Sequence, residues 1–316
     1  MIGFISVREP GRGSAEDDRH PRSAVSPGPK SPGNGRKETK GRMSLKGKIQ
    51  VVQFTDTGRV RDHNEDAAGA DMDTGLMVLA DGMGGYNAGE VASELAIKTV
   101  MDLVRVGVDR ESRGDIDVQS GLMRQSIVLR NAVSRANKII WQTAETQPQC
   151  KGMGTTFAAC LFFDNKVSIA HVGDSRVYRL RSDQFEQLTM DHSLLQELVD
   201  RGFYSPEEAS RSSNKNYVTR ALGVESGVDV EVQETAVQPG DVYLVCSDGL
   251  SDMVEDEDIH LTISTFGANL QTVGEQLIQL ANDNGGRDNV SVCLAQIVES
   301  FAERHGFVDR IKGLFG

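Results

Sequence analysis

The sequence lacks any apolar run long enough to cross a bilayer. Stretches such as Gly75-Leu76-Met77-Val78-Leu79-Ala80 fall far short of the ~18–20 residues a membrane span needs. No charged start followed by a sustained apolar stretch marks a signal peptide. Cytoplasmic location is therefore the default expectation, and stable membrane insertion is not expected. Cysteine is scarce: Cys150, Cys160, Cys246 and Cys293 are the four present. None forms a C-x-x-C pair, which excludes a zinc ribbon or a dithiol redox motif, and they read as reduced core thiols. No repeat of solenoid length occurs. Basic charge is short as well, with a net of −12. Residues 1–48 hold 11 Lys/Arg against 5 Asp/Glu, leaving 23 against 41 for the rest, a net of −18. An acidic body cannot offer a phosphate backbone the basic face it requires, so no nucleic-acid partner is expected.

What is present suits a globular protein: 316 residues, 38% apolar and 25% charged. Residues 1–47 are rich in Gly, Pro, Ser, Arg and Lys and read as a disordered basic segment, because they cannot bury enough apolar surface to offset ordering entropy. Met43 is an alternative start; the rival reading is a basic tail for acidic partners. Residues 48–300 read as one folded domain, and residues 301–316, with Phe301, Phe307, Ile311, Leu314 and Phe315, as a short amphipathic tail docking on it. Alternation predicts a strand over 49–54, and apolar runs predict strands over 76–80, 155–163, 167–172, 177–180, 185–188, 228–232, 241–246 and 289–298. Asn165 marks a hairpin turn. Helical spacing predicts helices over 90–106, through Val91, Leu95, Val100, Leu103 and Val104, and over 122–141, 193–201, 256–265 and 270–282. Residues 203–218 are polar and aperiodic and read as a surface loop or flap. Strands and helices do not alternate as in a doubly wound sheet. The fold class is therefore α+β, two antiparallel sheets covered by helices.

Two apolar runs end alike, the first in Asp81-Gly82 and the second in Asp248-Gly249. A carboxylate at the tip of a buried strand is held rigidly, and the glycine after it permits a tight turn and lets a small ligand approach the backbone. Glu65 and Asp66 follow the first strand, Asp174 lies between two strands, and Asp288 immediately precedes the last. Each alone reads as a turn or capping residue. If the strand ends converge, the like charges crowd one cleft, and only cations make that tolerable. Oxygen ligands without nearby cysteine favour hard ions, Mg²⁺ or Mn²⁺.

In order, the segments Thr55–Asp66, Ala80-Asp81-Gly82-Met83-Gly84-Gly85, Gly154-Thr155-Thr156, His171-Val172-Gly173-Asp174-Ser175-Arg176, Ser247-Asp248-Gly249-Leu250 and Arg287-Asp288-Asn289-Val290-Ser291 carry a resemblance. The series resembles the PP2C (PPM) family of metal-dependent protein serine/threonine phosphatases, in its bacterial form, over residues 49–298. The resemblance implies a central antiparallel β-sandwich flanked by α-helices, four layers in all. It implies that Asp81 bridges two metals and that the carbonyl of Gly82 ligates one of them. Asp248 and Asp288 would complete the first metal's shell, Glu65 and Asp66 would hold the second partly through water, and Asp174 would join Asp248 at a looser third. Arg61 matches the family's phosphate-binding arginine, whose guanidinium fork suits two phosphoryl oxygens.

The implied reaction is direct attack by a metal-bridging water on phosphoserine or phosphothreonine in a protein. Met83 stands where eukaryotic members carry a histidine proposed as general acid, so a metal-bound water or another group must protonate the leaving oxygen. His63 and His171, though near metal-site acids in sequence, read as structural. The 203–218 segment falls where the family has a flap that influences substrate choice. A cognate bacterial Ser/Thr kinase and a monomeric state are the expected context. The rival reading, a silent phosphoprotein-binding protein on the same fold, sits poorly with a complete acid set.

Overall fold

The computed structural model describes residues 45–85, 88–110, 115–205, 208 and 217–302. The basic segment 1–44, most of the expected flap and the tail beyond residue 302 lie outside the described residues.

Among the described residues, eleven strands form two antiparallel sheets. In the first, β1 (Ile49–Asp56) pairs with β11 (Val290–Ile297), which pairs with β10 (Val242–Cys246), then β7 (Arg176–Arg181) and β8 (Gln184–Gln187). In the second, β2 (Asp66–Asp71) pairs with β3 (Leu76–Met83), then β5 (Phe157–Phe163), β6 (Lys166–Val172) and β9 (Glu231–Ala236), with the two-residue β4 (Gly154–Thr155) added to the end of β3. Helices α1 (Ala88–Arg110) and α2 (Arg124–Thr146) cover the second sheet; α5 (Asp256–Phe266) and α6 (Leu270–Asp283) cover the first. Two short helices, α3 (Leu194–Asp200) and α4 (Asp248–Ser251), lie in the connections.

Being covered on both faces explains why the central strands read as unbroken apolar runs rather than alternating ones. In β3, Leu76, Val78 and Ala80 face the helices while Met77 and Leu79 face the other sheet. In β10, Val242, Leu244 and Cys246 face the helices while Tyr243 and Val245 face inward. Phe162 and Tyr243 meet edge to face across the sandwich, ring centroids 5.4 Å apart. All four cysteines are free and buried, as read from the sequence.

The connections follow local chemistry. Asp164 and Asn165, with φ of 43° and 53°, turn β5 into β6, and Ser182 and Asp183, with φ of 46° and 68°, turn β7 into β8. Both are two-residue turns with left-handed central residues, whose twist matches that of the strands; the first was legible at Asn165. Helix α2 has no side-chain cap of its own at Met123. Glu234 of β9 supplies one from a distance, accepting from the Met123 N–H at 2.6 Å and from the Ser126 hydroxyl.

Several expectations are corrected. The buried stripe of α1 is Ala88, Ala92, Ala96, Val100, Val104 and Val108; Val100 and Val104 were expected there, whereas Val91 and Leu103 are exposed. Small residues let the helix lie close to the sheet, and the larger ones drew the sequence reading to a neighbouring face. The strand expected at 228–232 is β9, three residues later. Strand β2, Asp-Ala-Ala-Gly-Ala-Asp, was not anticipated, because its residues have low strand propensity and only pairing with β3 makes it a strand. The expected run 155–163 is split at Thr156 into β4 and β5. Phe301 is buried among the inter-sheet residues.

Replacing Phe162 by Ala should cost about 3–5 kcal/mol, the usual range for a large aromatic removed from a core. Urea denaturation of the variant checks this; a change below about 1 kcal/mol would contradict the described packing.

Candidate metal centre

The layer between the sheets changes from apolar to polar at one end. Along β3 the inward positions run Met77, Leu79, then Asp81; along β10 and into α4 they run Tyr243, Val245, then Ser247. On β11, Ser291 follows Cys293 in the same alternation, and Thr55 of β1 lies opposite Ser291. Asp66 and Asp81 are direct cross-strand partners, so their side chains share this face. The strands that build the core therefore also aim the acids into one mouth.

Close backbone approach gathers the remaining segments. Asp81-Gly82 does not form the expected tight turn: β3 continues through both to Met83. Gly82 is needed for proximity, since a Cβ there would lie 2.2 Å from the Gly89 carbonyl oxygen and 2.6 Å from that of Glu65. Asp248-Gly249 likewise opens α4 rather than a turn, and a Cβ on Gly249 would lie 1.9 Å from the Asn289 carbonyl oxygen.

Hydroxyls and amides then fix the carboxylates. Ser247 donates to Asp66 Oδ2 at 2.9 Å and its oxygen accepts from the Ser291 N–H at 2.9 Å. The Asp81 carbonyl accepts from the Thr155 hydroxyl at 2.8 Å and the Thr156 N–H at 2.9 Å. Glu65 is buried, its carbonyl accepting from Gly82 N–H at 3.1 Å and Ser93 hydroxyl at 2.6 Å. Asp174 is buried in the β6–β7 turn, where Gly173 is clamped by His192: the His192 N–H donates to the Gly173 carbonyl at 2.9 Å, and Nδ1 accepts from the Gly173 N–H at 3.0 Å. Asp288, just before β11, accepts from its neighbour's Asn289 N–H through Oδ1 at 2.8 Å and from Arg61 Nη2 through Oδ2 at 2.6 Å.

The electrostatics record the crowding. Burial, then the charge of Asp66, Asp248, Asp174 and Asp288, pushes Asp81 well above the usual carboxylate range. Asp248 is pushed well up by burial and by Asp174, Asp288, Asp252 and Asp66. Burial raises Asp66 to about 6 against the lowering effect of the Ser291 and Ser247 hydrogen bonds. Burial and the nearby Asp191 raise Asp174 to about 6. Arg61, half-exposed, is raised chiefly by its bond to Asp288.

Glu65 Oε1, Asp66 Oδ1 and Asp248 Oδ1 are buried and accept no hydrogen bond from the protein. Buried carboxylate oxygens without donors are costly. An oxygen-only donor set in this condition fits hard divalent cations. Among the described residues, the trio of His, Cys, Asp or Glu ligand atoms lying within 4.8 Å of one another is His171, His192 and Glu231, not a set of the cleft acids. The cleft acids are thus spread more widely than one compact shell, which suits Mg²⁺ or Mn²⁺ retaining several waters. The histidine trio is already engaged: His171 Nε2 bonds the Met190 carbonyl at 2.9 Å, His192 Nε2 bonds Glu231 at 3.1 Å, and the Arg220 guanidinium lies 3.6 Å from Glu231. His63 is half-exposed, 3.6 Å from Glu65 Oε1.

Sequence reasoning named the acids and Arg61 but gave no role to Ser247, Thr156, Gly89 or Asn289. Ser247, Thr156 and Asn289 stand inside the quoted motifs, so the signal was adjacency to an assigned acid. Gly89, whose Cβ would strike Glu65 Oε1 at 2.5 Å, had no such signal.

The family model for protein phosphatase 2C matches residues 58–292. The serine/threonine phosphatase stp of Listeria innocua is 37% identical over 245 residues, covering 77% of this chain and 93% of that protein. A crystal structure of the Mycobacterium tuberculosis serine/threonine phosphatase PstP/Ppp superposes with a TM-score of 0.71 at 37% identity, covering 79% of this chain and 99% of that one. The catalytic domain of PstP in complex with two manganese ions superposes at 0.68 with 38% identity, over 79% and 99% of the two chains. The residues matched by the family model include every acid at the mouth of the sandwich, and the chain belongs to the protein phosphatase 2C family.

Proposed function

We propose that this chain is a metal-dependent phosphatase that hydrolyses phosphoserine and phosphothreonine in proteins. The observation that carries this is the gathering of Asp66, Asp81, Asp174, Asp248 and Asp288 at one mouth of the sandwich, with buried carboxylate oxygens that no protein group satisfies. The relatives at 37–38% identity are named or titled as phosphatases, which leaves a silent binding role without support.

In this reading Asp81, the Gly82 carbonyl, Asp248 and Asp288 would hold one ion, and Asp81 with Asp66, assisted by Glu65, would hold a second. Asp174 with Asp248 would hold a weaker third. Mn²⁺ and Mg²⁺ both suit the donors, and bound there they supply Lewis acidity toward the phosphoryl group and a water made nucleophilic near neutral pH. The protein's own task is placement. Ser247 fixes which Asp66 oxygen points into the mouth, and Thr155 and Thr156 fix the backbone at Asp81. Arg61 stands at the rim, where its fork can leave Asp288 for two phosphoryl oxygens of the substrate. Met83 has no proton to give, so the leaving oxygen is protonated by another group. The flap at 203–218, most of it outside the described residues, would bear on choice of protein substrate. No helix among the described residues is long and apolar enough to cross a membrane. A cytoplasmic monomer opposing a Ser/Thr kinase is the context we propose.

Release of phosphate from a phosphothreonine peptide should depend on Mn²⁺, and Asp248→Asn should lower it by at least about 100-fold, the upper end for perturbed outer-shell partners of a metal. Malachite-green detection settles it; Mn²⁺-independent release, or an unimpaired variant, would overturn the reading.

The raised carboxyls give a second expectation. A carboxyl that keeps its proton to higher pH in the folded state lends stability at low pH and loses it as pH rises through its folded value, here about 6 for Asp66 and Asp174. In chelator, the contribution of these acids to stability should therefore fall from pH 5 to pH 8. Stabilisation by added Mn²⁺ should grow over the same interval, as protons cease to compete with the metal. Thermal melts in EDTA and in Mn²⁺ across that range test this; a Mn²⁺-induced shift that shrinks with rising pH would contradict it.

A further inference from the structure

The segment between β1 and β2 carries Arg61 and Glu65, and it is fastened at three places by one side chain. Asn289, 5% exposed, accepts from the Glu65 N–H through Oδ1 at 2.8 Å. Its Nδ2 donates to the Thr57 carbonyl at 3.0 Å and to the His63 carbonyl at 2.9 Å. The contacts bracket Arg61 on both sides. The backbone N–H of the same residue donates to Asp288 Oδ1 at 2.8 Å, and Asp288 Oδ2 is where Arg61 rests, at 2.6 Å. Asn289 therefore governs both the segment that carries the guanidinium and the carboxylate that receives it.

The chemistry requires a carboxamide. Both amide hydrogens and the oxygen are used, so Asp would lose both donations, Ala would lose all three bonds, and Gln would place the group one methylene too far. Other ties to the segment lie at its ends: Gly58 N–H to Asp56, Arg59 N–H to the Gly286 carbonyl at 2.7 Å, and Asn64 Nδ2 to Thr55 at 2.7 Å. The carboxamide of Asn289 joins Thr57 at the beginning of the segment to His63 and Glu65 at its end, alongside the bond from Asn64 to Thr55.

We propose that Asn289 is a positioning residue for phosphate recognition, setting the reach of Arg61 into the metal centre. The inference rests on the reading of Arg61 as the phosphate ligand. It extends that reading, because it makes the affinity for the phosphoryl group depend on a residue that touches neither metal nor substrate.

The test is a double-mutant cycle between Asn289→Ala and Arg61→Ala on the Mn²⁺-loaded protein. It reads KM and kcat for p-nitrophenyl phosphate, and inorganic phosphate binding by calorimetry. Asn289→Ala should weaken phosphate binding and raise KM about tenfold, within the range a small misplacement produces. Mn²⁺ affinity measured without substrate should change less than about threefold, below the 10–100-fold expected on loss of a ligand's support. Adding Asn289→Ala to Arg61→Ala should have almost no further effect on phosphate binding. A purely structural role predicts the opposite: a lowered melting temperature with effects that multiply with those of Arg61→Ala. Multiplying effects, or phosphate binding unchanged in Asn289→Ala, would overturn the proposal. Should the Ala variant not fold, Asn289→Ser carries the same comparison, since its small hydroxyl leaves room for water to hydrate the freed groups. Loss of turnover in the wild type would count against the phosphatase reading, whereas the calorimetric cycle judges Asn289 without turnover.

Discussion

Mutual repulsion among buried carboxylates is the constraint on which the rest of this structure depends. Burial raises the proton affinity of Asp66, Asp81, Asp174 and Asp248, and the charges of Asp66, Asp174 and Asp288 raise that of Asp81 and Asp248 further. Such a group cannot be held by flexible loops, which would let the acids separate into solvent. Asp81 and Asp248 are held because they follow strand residues that are locked on both faces. Leu76 to Ala80 are fully buried just before Asp81, and Val242 to Cys246 just before Asp248. Core packing thus opposes a repulsion that cations relieve, and the family's dependence on divalent metal has a direct physical origin.

The same arrangement explains the distribution of small polar residues. Ser247, Ser291, Thr55 and Thr156 occupy inward positions where the sandwich opens, and each makes short hydrogen bonds to a neighbour or to an acid. A larger apolar residue at any of them would close the mouth, and an unpaired polar one would carry a desolvation cost. Gly82, Gly89 and Gly249 serve a related purpose, letting separate segments meet at distances no side chain permits. Arg61 supplies positive charge at the rim, held by Asp288 on one side and by a segment that Asn289 ties down on the other.

Much of the fold was legible, because the central strands are covered on both faces and the helices show a clear period. Long apolar runs gave β3, β5, β10 and β11, and helical spacing gave α1, α2, α5 and α6 close to their observed limits. The missed elements share a physical cause: β2 and β4 owe their form to neighbours, their own residues being small or weakly strand-forming. The alanine stripe of α1 escaped for a similar reason, since closeness of packing, rather than side-chain size, decides which face is inside.

Residue type, spacing and periodicity along the chain were enough to name the acids, the hardness of the ions they suit and the layered class of the fold. Tertiary structure alone decided that Asp66 stands opposite Asp81, that Gly82 and Gly249 serve close approach rather than turning, and that Asn289 reaches across more than two hundred positions to the segment bearing Arg61. Those are relations between surfaces brought together by folding, and no local pattern encodes the distance between residues so far apart in the chain.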